Sequence, residues 1–143
     1  MKIKILIAVF CLTMMHCSLN DSEVPPIVQV IEWHLINVNG GVSGINETFE
    51  PETIIWIFND ATGVLTVENT NEDDSKEDGL ASGSYSYSIA NVSNNSFITI
   101  NSNELGEIAF TSENKITIDQ NSTSEGSGAD GFIYTFTRKL IQL

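Results

Sequence analysis

From Val28 to Lys139 the apolar residues recur at every second position in short runs, and no stretch repeats them at the three-and-four spacing of a helix. A period of two places successive side chains on opposite faces, which is the mark of a strand with one face buried. The runs are rich in Val, Ile, Thr and aromatic residues, and Asn, Asp, Ser and Gly separate them, which is the composition of strands and turns. Eight strands are predicted, over 28–38, 53–59, 64–69, 83–90, 96–101, 107–112, 115–119 and 131–139.

Most of the connections are a few residues long, so strands adjacent in sequence pair as antiparallel hairpins. An eight-stranded meander can close on itself and remove its exposed edges. The expected fold is therefore all-β, a single eight-stranded antiparallel up-and-down barrel. Eight strands leave an interior wide enough for side chains or for one small ligand. The alternation assigns the faces. Tyr85, Tyr87 and Ile89 oppose Ser84, Ser86 and Ser88. Phe132, Tyr134, Phe136 and Arg138 oppose Ile133, Thr135, Thr137 and Lys139. The first strand turns Ile31, Trp33 and Leu35 inward. The second is apolar on both faces, with Ile54, Trp56 and Phe58 against Ile55 and Ile57, so an apolar patch on its outer side is one expectation.

The N-terminus reads as a secretion signal. Lys2 and Lys4 precede an apolar run from Ile5 to Met15. That run is too short for a helix crossing a core of about 30 Å, which takes roughly 20 residues. Cys17 follows, and no small-residue cleavage site stands nearby. A cysteine here resembles the lipobox of bacterial lipoproteins, although Met14 and His16 stand where that family usually has Leu and a small residue. Asp21 and Glu23 just beyond it look like the acidic residues of surface lipoproteins of the Bacteroidetes kind. The resemblance implies a signal peptide over 1–16, an acylated (palmitate-bearing) Cys17 opening a tether over 17–26, and a domain over 27–143. It implies an outer-membrane lipoprotein of the bacterial envelope, periplasmic or surface-exposed, held to the membrane by its acyl chains at Cys17. Two or more acyl chains anchor stably where one binds marginally.

With Cys11 gone in the signal and Cys17 acylated, the domain has no thiol for a disulfide, a metal or a nucleophile. Loss of Lys2 and Lys4 leaves Lys76, Lys115, Arg138 and Lys139 against nineteen carboxylates. Such a surface repels phosphates, so no nucleic-acid partner is expected. His34, next to Trp33 on the outward face, is read as a surface residue, since the chain lacks partners for a triad or a His-based metal site. The run NEDDSKEDG over 71–79 lacks the glycine and closing glutamate of an EF-hand loop, and a solvated hairpin loop is expected there. The chain is expected to be no enzyme and to carry no metal or cofactor.

The order of these motifs has a further resemblance. EWHL in the first strand is followed by a WIF strand, then GVLTV, then GSYSYSI, and YTFTR ends the last strand. This order resembles lipocalin-like domains of small bacterial lipoproteins, over residues 28–140. The resemblance implies that Trp33 and Arg138 pack together and close one end of the barrel, as an indole under a guanidinium. The family's Gly two places before that tryptophan is Ile31 here. The resemblance also implies a barrel that holds a small hydrophobic ligand. Trp56, Phe58, Tyr85, Tyr87, Phe110, Tyr134 and Phe136 are the interior residues that would line such a site, with tyrosine hydroxyls as its polar tips. The same aromatics can instead fill the interior, which would make the domain a structural or interaction module of a surface complex. No protein partner is legible.

Overall fold

The computed structural model describes residues 29–142, and every regular element there is a strand. The expected signal peptide, Cys17 and the tether lie outside the described residues. The strands are β1 (Gln29–Gly40), β2 (Ile45–Thr48), β3 (Ile54–Asn59), β4 (Val64–Asn69), β5 (Gly83–Val92), β6 (Asn95–Ile100), β7 (Asn103–Ser112), β8 (Lys115–Asp119), β9 (Ser122–Thr123), β10 (Gly126–Ser127) and β11 (Phe132–Gln142). Eight of them, β1, β3 to β8 and β11, pair antiparallel in sequence order, and β11 returns to β1 and closes the barrel. The eight expected strands are these eight.

Closure rests on eleven registered pairs between β1 and β11, from Gln29 with Gln142 to Gly40 with Phe132. A bulge between Leu35 and Asn37 interrupts that register. It also divides the other edge of β1. Its first half meets β3 at Trp33–Trp56 and His34–Ile55, and its second half meets β2 from Asn37–Thr48 to Gly40–Ile45. The extra strand β2 was not legible because INET offers one apolar residue and no alternation. It is paired by β1 rather than by its own pattern.

The start of β7 also lies earlier than the pattern indicates. Leu105 and Ile108 both pack on the core, although their spacing puts them on opposite faces of a regular strand. A bulge opposite Ile98 and Thr99 absorbs the difference. Gly106 makes it feasible. Its φ is +147°, and a Cβ there would stand 2.2 Å from the Asp119 carbonyl oxygen of β8.

The barrel has two unlike ends. The turns β3–β4, β5–β6 and β7–β8 lie at one end, together with the start of β1 and the finish of β11. The long connections 70–82 and 120–131 lie at the other. The half nearer the long connections is filled. Leu35, Ile54, Trp56, Ile118 and Phe136 are wholly buried there, and the Trp56 and Phe136 rings meet at 4.9 Å between centroids.

Replacing Gly106 by Ala forces β7 away from the β8 backbone. The expected loss is about 1–3 kcal/mol, the usual range for an overpacked site, read as a lower urea midpoint. An unchanged midpoint would show that the bulge relaxes freely.

Candidate functional site

At the end with the short turns the interior is open. A cavity of about 500 Å³ lies between Trp33, Phe58, Tyr87, Ile108, Ile116 and Arg138, with Ile31, Ile89 and Phe110 at its rim. This volume falls within the roughly 300–1,000 Å³ of small-molecule sites. The walls are mostly apolar because the inward positions are apolar, alternating with polar outward ones most plainly in β5 and β8.

An aromatic series leads from the filled half to the rim. Trp56 meets Phe58 edge-on at 6.1 Å, and Phe58 meets Tyr87 edge-on at 5.0 Å. The Tyr87 hydroxyl donates to Asp60 Oδ1 at 2.5 Å, so the turn carboxylate takes up the phenol at the edge of the cavity. Burial first, then the bond to Asp60 and its negative charge, pushes the Tyr87 phenol up from 10.0 to about 12. Arg138 is the cation in the wall. Among the described residues no carboxylate stands within ion-pair distance of it.

The expected site residues therefore separate. Phe58, Tyr87 and Phe110 border the cavity. Trp56, Tyr134 and Phe136 lie in the filled half and contribute packing. The indole N–H of Trp56 is buried without an acceptor. Tyr85 packs on the edge of the core and donates its hydroxyl to the Ala81 carbonyl at 2.8 Å. Phe110 is not an interior residue but a rim residue, 75 % exposed, because β7 runs on beyond Glu107, its last residue paired with β6. Trp33 and Arg138 do face each other across the β1–β11 seam. They stand in the cavity wall at the open end, and the closed end is the opposite one. The ring that meets Trp33 is Phe110, edge-on at 6.0 Å.

Closure of the far end falls to the acidic segment 70–82, which sequence reading placed as a solvated loop. Glu72, Asp73 and Asp74 are exposed as expected, but Glu77 and Leu80 are tied down. The Glu77 amide donates to Glu47 Oε2 at 2.8 Å, and the Glu77 carboxylate accepts the Tyr134 hydroxyl at 2.9 Å. The Asn69 side-chain amide donates to the Leu80 carbonyl at 3.1 Å, and Leu80 packs on the core. The Lys76 ammonium lies 5.5 Å from the centre of the Phe49 ring. Gly79 lies over the Tyr134 and Trp56 rings. One hydrophobic residue, one acceptor and two donors of the barrel are enough to seat a segment whose charge alone reads as solvent-facing.

His34 is not the surface residue its outward parity suggests. It points outward from β1, as its parity requires, yet it is buried. The segment before β3 folds over it. The Glu52 amide donates to Nδ1 at 2.9 Å, so the ring proton sits on Nε2, 3.0 Å from Glu32 Oε2. Glu52 also pairs with Lys139, and that hydrogen bond and charge hold the Glu52 carboxyl below its ordinary value. His34 thus fastens a strap to the wall. Among the described residues no three His, Cys, Asp or Glu side chains converge on a point where a metal could bind.

No protein-family model, curated protein or solved structure matches this chain.

Burial, then the bond to Glu77, raises the Tyr134 phenol far above 10.0. The unfolded chain therefore releases this proton first. Stability from Tyr134 is whole below about pH 10, the ordinary tyrosine value, and falls as the pH rises beyond it. Tyr134→Phe is expected to flatten most of that alkaline decline, leaving the parts due to Tyr87 and Lys139. It also removes a bond to a charged acceptor, at a cost of about 1.5–3 kcal/mol at neutral pH. Urea unfolding at neutral and alkaline pH measures both effects.

Proposed function

We propose that this protein is a non-enzymatic, lipid-anchored protein of the bacterial outer membrane that binds or carries a small hydrophobic ligand in a shallow β-barrel. The observation that carries this reading is the apolar cavity of about 500 Å³ with one guanidinium in its wall. An arginine beside apolar surface and without a carboxylate partner is matched by an anionic group on the ligand, which a guanidinium holds through two parallel hydrogen bonds. The ligand class is then an amphipathic acid, with an apolar body against Phe58, Ile108 and Ile116 and its anionic end at Arg138. The alternative, a filled barrel presenting an apolar outer face, has less support. Ile55 and Ile57 are half-buried, and only one half of the interior is filled.

Trp33 stands in the cavity wall and reports occupancy. Titration with a long-chain fatty acid is expected to shift its emission, and the matching fatty alcohol is expected to bind more weakly. Arg138→Met should cost the acid roughly tenfold in affinity, about 1.4 kcal/mol, and should leave the alcohol nearly unchanged. No emission change with any fatty acid, retinoid or sterol-like probe would remove the carrier role. The anchor is tested apart from the cavity. Cys17→Ser should shift the chain from the membrane fraction to the soluble one, and a variant still in the membrane fraction would count against acylation at Cys17.

A further inference from the structure

Six large hydrophobic residues are exposed among the described residues, and five of them cluster at the open end. Phe110 is 75 % exposed, Leu140 50 % and Ile89 47 %, with Ile31 and Val92 close behind. Val42 alone lies at the other end. Scattered singly, such residues need no explanation, but a ring of them around one opening does.

Charge is divided along the same axis. The far-end connections 70–82 and 120–131 hold seven carboxylates and one lysine, Lys76. The three turns at the mouth hold two carboxylates, Asp60 and Glu113; on the strands near them lie the remaining cations, Lys115, Arg138 and Lys139, with Glu32 and Glu52 beside Lys139. The mouth is thus close to neutral and apolar, and the far end is strongly acidic. Near an anionic lipid surface this distribution turns the mouth toward the membrane, since the acidic end is repelled.

The chain also begins its described course at the mouth, where Gln29 pairs with Gln142. Cys17 lies twelve residues upstream. A fully extended chain covers at most about 3.3–3.6 Å per residue, so the span from Cys17 to Gln29 reaches about 40 Å at most.

We propose that the rim of the barrel docks on a lipid bilayer, with Phe110, Leu140, Ile89, Ile31 and Val92 set into the interface, so that the cavity opens toward the membrane. The rim, the charge division and the strand ends are independent features, and all three select the same end. This goes beyond ligand binding: the docked barrel would exchange an amphipathic molecule with the bilayer without carrying it through water. The docking itself does not require that a ligand binds.

The test uses the full chain with vesicles of phosphatidylethanolamine and phosphatidylglycerol that carry brominated acyl chains. The two tryptophans differ in surroundings: Trp33 lines the cavity at the mouth, and Trp56, its partner on β3, does not. Docking is expected to quench the Trp33 part of the emission, and Trp33→Phe is expected to abolish the quenched fraction. The double variant Val92→Ser with Leu140→Ser changes two exposed residues outside the cavity wall, so the fold should hold, as circular dichroism would verify. It should lower the quenched fraction severalfold and leave the fatty-acid titration unchanged. Emission unaffected by the brominated lipid, or quenched equally in the double variant, would overturn the proposal. An unquenched chain that elutes as a dimer would overturn it too and assign the rim to a second copy of the chain. A blank fatty-acid titration with quenching intact would sink the ligand reading and leave docking standing.

Discussion

The pairing of the first strand with the last carries the rest of this structure. Without the eleven pairs of β1 with β11 the sheet would be open, with two long unpaired edges and a row of aromatic side chains facing water. Closure turns the alternation of each strand into an inside and an outside. The bulge after Leu35 then lets β1 serve β3 with one half and β2 with the other, so a single strand holds three neighbours. Everything at the mouth, including the juxtaposition of Trp33 with Arg138, is set by that register.

Within the cylinder the interior is divided. The contact of Trp56 with Phe136 forms a floor, and below it the aliphatic residues of six strands leave no room. Above it Trp33 and Phe110 meet from strands that are not neighbours, and the cavity remains between the other walls. The floor also separates two kinds of chemistry. On one side, tyrosine, glutamate and asparagine fix the acidic segment over the core. On the other, a guanidinium and a tyrosine–aspartate pair are the polar groups of an otherwise apolar cup.

The strands were legible because period two and turn residues are local signals. GSYSYSI and KITID each declare a buried and an exposed face with no reference to the rest of the chain. Closure followed from the count of strands and the shortness of their connections. What sequence reading missed is non-local. The pairing of β2 with β1 depends on the partner strand, and the early start of β7 depends on a bulge that reverses its parity at Gly106. His34 was placed on the correct face, but the strap that buries it comes from a loop. The acidic segment is the plainest case. Five carboxylates in nine residues outweigh one leucine in any local reading, yet the acceptors and donors that seat the segment lie on β2, β4 and β11. At the site itself, the inward aromatics were identified as a set. Parity could not say which of them lie above the floor and which below it, because that is a matter of height along the barrel.

The seam that closes the barrel also governs how the fold comes into being. Gln29 meets Gln142, so the contacts that complete the core join the two extremes of the described chain. Loop-closure entropy is spent before such pairings contribute anything, and topologies of this kind reach the native state in milliseconds to seconds rather than microseconds. Until the final strand arrives, the seven others form a curved sheet with both edges bare, the state in which β-proteins most readily associate wrongly. Lysine on the outward face of the final strand, at Lys139, and the acidic charge along the rest of the chain keep such an intermediate self-repelling. A net charge of -13 disfavours association of any such unsealed sheet with its copies.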